Sequence, residues 1–285
     1  MRLGVVAQPD NSRAAYLADT IQAALSDDAT VVLDVGTARA LDEQDAVADS
    51  FTDCDLVVSI GGDGTFLYAA RQAGTVPVMG VNLGEVGFLN AVGPEEAVEA
   101  VRTEVERFEA EGAVQTRELP RLAASGTTGE DQPADWTFPP ALNDVVVLGP
   151  GRGRGRGLAV EARVDGSLYA GGHADGVLVA TPTGSTAYNL SEDGPLIRPD
   201  LDAMVVTGMA PDTPIPPLVV GIDSDVRIRV TDADHAVVTS DGTDERRVDL
   251  PHTVSITAAA EPARVAGPGV EFFRALSKLS WTGTH

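Results

Sequence analysis

The first hundred residues alternate short apolar runs, rich in β-branched side chains, with segments whose apolar residues recur at helical spacing. The runs that predict strands cover residues 3–7, 30–35, 56–60 and 77–82. The segments between them predict helices: one capped by Ser12, one over residues 66–73 and one opened by Pro94 at its first turn. Strand and helix in regular alternation predict a doubly wound α/β domain.

Beyond about residue 112 the pattern changes to short strand-like runs separated by turn residues. These runs cover residues 141–148, 158–164, 176–180, 203–207, 226–230, 236–239 and 254–259. Asp165-Gly166 and Asp241-Gly242 supply hairpin turns between them. We therefore predict a C-terminal, mostly antiparallel β-sandwich domain over residues 112–267. The N-terminal α/β domain would cover residues 1–111 and be joined by a C-terminal helix within residues 268–285.

Composition supports a globular protein. The chain has 285 residues, of which 43% are hydrophobic, enough to bury one large core or two ordinary ones. No apolar run approaches the roughly 18 residues of a membrane span, and the N-terminus turns polar too early for a signal peptide. We expect a cytoplasmic location and no membrane partner. Cys54 is the single cysteine, which excludes an intrachain disulfide and a multi-cysteine metal site.

The charge balance is strongly acidic, with 43 Asp and Glu against 20 Lys and Arg and a formal net charge of −23. This balance argues against a nucleic-acid partner. Lys278 is the single lysine, and the acidic residues are spread along the chain instead of being gathered in a tail. Such a surface suits high salt, where self-repulsion is screened. An ordinary acidic protein from a GC-rich genome is the alternative interpretation.

The segment Gly61-Gly62-Asp63-Gly64-Thr65 stands between an apolar strand and a helix, where open α/β sheets place their ligands. Glycines there let backbone N–H groups point at an anion, and the helix adds the positive end of its dipole. A carboxylate in such a loop would repel phosphate, so Asp63 indicates a specific task such as accepting a proton or binding a hydroxyl or a metal. A simple turn is the alternative.

Two further segments carry polar groups suited to a nucleotide. In residues 174–191 an apolar run is followed by several hydroxyl side chains, glycine, alanine and a tyrosine. Together they offer hydrogen-bond donors and acceptors and one flat aromatic face, which suits a nucleotide. Asn143-Asp144 puts an amide and a carboxylate at the start of a strand. The Gly-Arg repeat at residues 149–157 is either a solvated loop or an arginine-bearing flap near phosphate.

Together these segments resemble the NAD kinase family. Residues 61–67 match its Gly-Gly-Asp-Gly-Thr-Phe-Leu block, Asn143-Asp144 stands for its Asn-Glu pair, and residues 175–188 contain its Thr-Pro-Thr-Gly-Ser-Thr-Ala-Tyr block. Residues 80–89 and 272–281 are similar to further family segments. The blocks follow the family order from residue 57 onward, so the resemblance covers most of the chain.

The resemblance implies a role for each matching residue. Asp63 would be the catalytic carboxylate, Gly64 part of the phosphate-facing turn, and Phe88 a platform for adenine. The dinucleotide pocket would be completed by Asn143, Asp144, His173, Asp175, Thr183, Thr186, Ala187, Tyr188, Asn189, Leu190, Ser191 and Ala210. Asp144 replaces the usual glutamate, and His173 stands where the family commonly has arginine or lysine.

The implied activity is that of an NAD kinase, which moves a phosphoryl group from ATP, or from polyphosphate, onto the 2′-hydroxyl of the adenosine ribose of NAD. Mg²⁺ or another divalent metal would accompany the donor phosphates, and no metal site made by the protein is predicted. The family favours a homodimer or homotetramer. Two alternatives stay open at this point: a lipid or diacylglycerol-type kinase with a similar glycine-rich loop, and a non-catalytic dinucleotide sensor.

The net charge of −23 generates the first prediction. Folding and activity should rise with salt up to molar concentrations, because screening reduces repulsion between surface carboxylates. Thermal unfolding and initial rates measured from dilute buffer to molar KCl check this. Full stability and full activity in dilute buffer would contradict it.

Overall fold

The computed structural model describes residues 1–43, 47–84, 87–129, 133–151 and 157–277. The chain divides into two compact units: residues 1–118 with 263–285, and residues 119–262. The Gly-Arg repeat falls largely on residues 152–156 and the end of the predicted C-terminal helix on 278–285, both outside the described residues. Within the described residues no helix is long and apolar enough to cross a membrane.

The first unit is built on a sheet whose assigned pairs are parallel. Its strands, numbered in chain order, are β1 Arg2–Ala7, β2 Thr30–Asp34, β3 Val47–Ala48, β4 Leu56–Ile60, β5 Val78–Val81, β6 Thr116–Leu119 and β19 Ala263–Ala266. The sheet order is β3-β2-β1-β4-β5-β19-β6. The chain runs outward from β1 to β3 and then returns to β4 on the other side. That reversal creates a crevice at the carboxyl ends of β1 and β4.

Helices cover this sheet and shield its apolar residues. They are α1 Ser12–Ala24, α2 Val35–Leu41, α3 Asp63–Ala73, α4 Ala97–Glu111 and α6 Phe272–Leu276. Fully buried core residues include Leu3 and Val58 of the sheet and Ile21 and Val101 of the helices. The side chain of Asn11 caps α1 by accepting from the backbone N–H groups of residues 13 and 14, so the predicted cap at Ser12 was wrong by one position.

The second unit is a sandwich of two sheets whose assigned pairs are antiparallel. Its strands are β7 Leu122–Thr127, β8 Trp136–Thr137, β9 Asp144–Leu148, β10 Leu158–Val164, β11 Ser167–Ala174, β12 Gly176–Ala180, β13 Ala203–Met209, β14 Leu218–Gly221, β15 Val226–Thr231, β16 Ala236–Ser240, β17 Asp244–Val248 and β18 His252–Ala258. The sheet orders are β11-β10-β15-β18-β7-β8 and β14-β13-β12-β9-β16-β17. Side chains from both sheets, such as Val147 and Ile228, share one core. The short helix α5 covers Tyr188–Ser191.

The predicted fold class is confirmed: an α/β unit with a parallel sheet and a β-sandwich unit. The details differ where a polar residue sets a boundary. The strand predicted over residues 30–35 ends at Asp34, because its carboxylate caps α2 by accepting from the backbone N–H groups of Gly36 and Thr37. Helix α3 begins at Asp63, three residues before the predicted start, and α4 begins at Ala97.

Candidate active site

The glycine-rich segment lies where β4 meets α3, at the crevice of the first unit. Gly61 has no room for a side chain, because an added Cβ would lie 2.5 Å from the Thr65 hydroxyl oxygen. An added Cβ at Gly62 or Gly64 would meet nothing within 4 Å. The first turn of α3 is therefore left open, and the first N–H groups of a helix have no partner within it. This open helix start is suited to an anion.

The carboxylate of Asp63 is held by a neighbouring segment instead of by its own helix. Its Oδ2 accepts from the backbone N–H of Phe88 at 3.1 Å, and its Oδ1 from the backbone N–H of Leu89 at 3.2 Å and from Asn90 Nδ2 at 3.0 Å. Gly87 makes this approach possible, because an added Cβ there would lie 2.3 Å from Oδ1 of Asp63. The structure thus brings Phe88 to Asp63 and its neighbour Gly64.

The ring of Phe88 is half-buried and tilted against Phe272 of α6, with ring centroids 6.1 Å apart. Leu89 beside it is buried at 3% exposure. Because Leu89 is buried and Phe88 is only partly buried, part of one face of the Phe88 ring remains accessible. Stacking on a base is a use of such a face.

A cleft of about 660 Å³ opens beside the glycine-rich segment. The cleft is lined by Gln8 and Pro9 after β1, Asp34 at the end of β2, and Thr65 and Tyr68 of α3, together with Gly62 and Gly64. No Lys or Arg is among these lining residues. The attraction for an anion in this cleft therefore comes from backbone N–H groups and the dipole of α3.

In the second unit, Asn143 and Asp144 are held in place by Asp241. The Asp241 carboxylate accepts from the backbone N–H groups of Leu142 at 2.8 Å, Asn143 at 2.7 Å and Asp144 at 3.1 Å. Asp144 itself is 5% exposed. Burial, and secondarily the charge of Asp241, raises the pKa of Asp144 to about 7.

The hydroxyl-rich loop packs directly on this pair. The Thr181 hydroxyl donates to the carbonyl of Leu142 at 2.6 Å, and an added Cβ at Gly184 would lie 2.0 Å from the Asn143 carbonyl oxygen. Thr183 is buried at 6% exposure, and its hydroxyl has no partner among the described residues. A buried hydroxyl without a partner is costly, so it indicates a place where a ligand can supply one.

The predicted residues of this loop differ in their access. Thr186, Ala187, Tyr188 and Leu190 are partly exposed and Ser191 is exposed, whereas Asn189 is fully buried. The Asn189 amide donates to the carbonyls of residues 185 and 195 and accepts from the hydroxyl of residue 207. In the structure Asn189 thus ties the loop to the sandwich, and its contact with a dinucleotide stays a prediction.

The remaining predicted residues lie at the other end of β12. The backbone N–H of Asp175, before β12, donates to the carbonyl of Met209, which precedes Ala210. His173 is exposed, with its Nε2 3.3 Å from a carboxylate oxygen of Asp232. Ala210 is exposed with φ 42°, a left-handed conformation that costs energy for alanine. Six residue steps at roughly 3.3 Å separate Asp175 from Thr181, about 20 Å along the strand.

The described residues contain no group of three or more His, Cys, Asp or Glu side chains placed to hold a metal ion. A metal that arrives on donor phosphates needs fewer protein ligands, because Mg²⁺ is usually held by one or two carboxylates, phosphate oxygens and water. The open helix start beside Asp34 and Asp63 fits that manner of binding.

Comparison with known proteins covers both units. The ATP-NAD kinase N-terminal domain matches residues 3–108, and the ATP-NAD kinase C-terminal domain matches residues 142–267. The chain belongs to the NAD kinase family. An NAD kinase of Halobacterium salinarum is 56% identical over 98% of this chain and 100% of its own length. The NAD kinase of Haloarcula marismortui is 53% identical over the same shares of the two chains.

Solved structures agree with this assignment. An NAD kinase from Archaeoglobus fulgidus in complex with ATP is 27% identical, with a TM-score of 0.73, over 98% of this chain and 97% of that one. Yeast NADH kinase complexed with NADH shares the fold, with a TM-score of 0.83 and 20% identity over 100% of this chain and 89% of that one. The predicted NAD kinase activity is confirmed, and the lipid kinase and sensor alternatives were wrong.

Sequence reasoning missed two residues that hold the predicted ones. Asp241 was interpreted only as a hairpin turn former, and Asn90 was not singled out. A carboxylate in an Asp-Gly turn is the one available signal for Asp241, and it does not reveal that the side chain reaches back to residues 142–144. The dinucleotide contacts of the predicted residues themselves stay predictions.

Asp144 generates a prediction about stability. Its pKa is raised from 3.8 to about 7 by folding, so between those pH values the folded protein binds more protons than the unfolded one. This contribution to stability is present at low pH and is lost as pH rises through about 7. Asp144→Asn should therefore raise the unfolding temperature by a few degrees at pH 8, by less near pH 5, and hardly at all as pH falls to 3.8.

Thermal unfolding from pH 5 to pH 8 at fixed high salt tests this expectation. Asp165→Asn is the matched control, since Asp165 also stands in the second unit but is exposed on a hairpin. An Asp144→Asn curve parallel to that of the wild type would show that Asp144 stays charged in the folded protein.

Proposed function

We propose that this NAD kinase uses ATP as donor, accepts the donor phosphates at the start of α3, and uses Asp63 to take the proton from the attacking 2′-hydroxyl. The observation that carries the proposal is the position of Asp63. Asp63 is the first residue of α3, its carboxylate is fixed by three hydrogen bonds, and Gly62 and Gly64 on either side of it line the cleft beside α3. Proton acceptor and anion site are thus adjacent.

The arrangement suits phosphoryl transfer, which depends on positioning and on stabilising charge. A carboxylate offers about four lone pairs, and the three hydrogen bonds to Asp63 leave capacity for one more proton. N–H groups of the first turn of α3 would contact the transferred phosphoryl oxygens. A divalent metal on the donor would neutralise phosphate charge, and Asp34 and Asp63 are the carboxylates beside that position.

ATP is proposed over polyphosphate because the cleft of about 660 Å³ beside α3 is large enough for a nucleoside as well as its phosphates. The related structure from Archaeoglobus fulgidus was solved in complex with ATP. The partly exposed ring of Tyr68 at this cleft offers a surface for a base. A donor panel of ATP and polyphosphate, with NADP formation as readout, separates the two. Cytoplasmic location and adaptation to salt stay predictions.

Asp63→Asn tests the proton acceptor. Asparagine keeps the shape but cannot accept the proton, so kcat should fall by roughly 10²–10⁴-fold while NAD affinity stays within a few-fold. Rates of NADP formation and calorimetry with NAD measure the two quantities. Asp42→Asn, at the end of α2 in the same unit, should leave both near wild type. Near-normal kcat in Asp63→Asn would remove the residue from the chemical step.

We also propose that the active enzyme is a homo-oligomer in which two copies supply one dinucleotide site. The predicted ligands of the second unit form two groups, one around Asn143 and Thr183 and one around Asp175 and Ala210. Because they lie about 20 Å apart along β12, one compactly bound dinucleotide cannot contact both groups of the same copy. A neighbouring copy can bring its own second group to the first.

Mixing two inactive variants tests this arrangement. Asn143→Ala and Asp175→Asn should each lose activity alone, and mixing them after dissociation should restore up to about a quarter of wild-type activity per site through mixed sites. Light scattering on the same samples gives the assembly state. If the subunits have exchanged and the mixture is still no more active than the two separate variants, both residues act within the same copy.

A further inference from the structure

Asn90 is a buried polar residue whose side-chain amide is hydrogen-bonded to Asp63. Its exposure is 0%, and its Nδ2 donates to Oδ1 of Asp63 at 3.0 Å. Its own Oδ1 is buried and has no partner among the described residues. An unpartnered buried carbonyl lowers the stability of the folded protein, a cost that a leucine of similar shape would avoid. The bond to Asp63 is the interaction that offsets this cost.

The surroundings of Asn90 select one orientation of its amide. An added Cβ at Gly80 of β5 would lie 2.3 Å from Oδ1 and 2.9 Å from the Cα of Asn90. The bare backbone of Gly80 therefore provides the space for the amide carbonyl. The reverse orientation would place Oδ1 against a carboxylate oxygen of Asp63, which is repulsive. Asn90 can thus only present its N–H group to Asp63.

The segment that carries Asn90 is anchored independently of this side chain. Val92 donates its N–H to the carbonyl of Gly80 at 3.2 Å and accepts from the N–H of Asn82 at 2.8 Å. These backbone hydrogen bonds hold the segment alongside β5, where Val81 and Val92 form an isolated parallel β-bridge. Removing the Asn90 amide would leave the segment and its two backbone donors to Asp63 in place.

We propose that Asn90 is a positioning residue for phosphoryl transfer, which fixes the rotamer of the Asp63 carboxylate through its amide N–H. This inference rests on the proposed role of Asp63 as proton acceptor. The orientation of the Asp63 carboxylate is held from outside α3, since its three hydrogen bonds come from residues 88–90. Two of the donors are backbone groups, so the amide of Asn90 is the side-chain contribution to that restraint.

The consequence is specific to the chemical step. Without the amide the carboxylate samples more orientations, and small misplacement of a reacting group lowers kcat strongly. Because Asn90 is fully buried, substrate affinity should hardly change. Asn90→Leu is expected to lower kcat at least tenfold and to leave KM for NAD within about threefold of wild type.

The test is a double-mutant cycle with Asp63→Asn, measured as kcat and KM for NADP formation, with thermal unfolding and NAD calorimetry as folding checks. If Asn90 acts through Asp63, then Asn90→Leu lowers kcat in the wild type and by less than twofold in the Asp63→Asn background. Ser59→Ala is the matched control. Ser59 of β4 is also fully buried with an unpartnered side-chain oxygen, and its removal should change neither kcat nor KM.

Asn90→Ala covers the case in which the leucine variant does not fold, because it removes the amide without placing a larger side chain against Gly80 or Asp63. Its kcat should fall about as far as that of Asn90→Leu. Wild-type kcat in either variant, a proportional rise in KM, or an additional tenfold loss in the Asp63→Asn background would each overturn the proposal. Normal kcat in Asp63→Asn alone would instead overturn the proposed proton acceptor, so the two failures are distinguishable.

Discussion

The contact between the Asp63 carboxylate and residues 88–90 is the interaction on which the candidate site of the first unit depends. It joins the start of α3 to the segment that follows β5, two elements that the parallel sheet brings side by side. It also fixes the backbone position of Phe88, because Phe88 donates its own N–H to the Asp63 carboxylate. Orientation of the carboxylate and placement of the ring are therefore set by the same few bonds.

The second unit uses a carboxylate in a similar manner. Asp241 gathers three backbone N–H groups from residues 142–144 and so fixes the strand start that presents Asn143 and Asp144. Its charge then helps to raise the pKa of Asp144. In both units a buried or half-buried Asp holds backbone donors, and glycines such as Gly87 and Gly184 allow the close approach. In each unit, rigid backbone instead of long polar side chains holds the candidate site residues.

Elements with strong local patterns could be predicted from the sequence. The apolar strands β1, β4 and β12 and the amphipathic helix α1 were found because burial on one or both faces leaves a readable periodicity. Helix α2 was missed, because seven residues give too short a pattern and its start depends on the Asp34 cap. The polar strand β17, with Arg246 and Arg247 exposed, carries no apolar alternation that distinguishes it from a turn.

Within the candidate site, sequence reasoning singled out the residues proposed to carry chemistry and missed those that hold them. Asp63 stands in a motif whose glycines and position indicate ligand binding, whereas Asn90 and Asp241 act through contacts 27 and 97 residues away in the chain. No local pattern encodes such a contact. The buried Asn189 shows the converse: a residue inside a recognised motif can serve mainly the packing of the loop.

The acidic surface places a further constraint on how this enzyme binds phosphate. Both substrates of an NAD kinase are anions, yet the chain carries a net charge of −23 and the cleft beside α3 has no Lys or Arg among its lining residues. Attraction must therefore be local. The N–H groups of a helix start act at hydrogen-bond distance, where salt screens them little, while repulsion between distant carboxylates and the substrates decays within a Debye length of about 3 Å at molar salt. High salt would thus remove the long-range repulsion and leave the short-range binding intact, so an acidic surface and an anion site built from backbone groups are compatible.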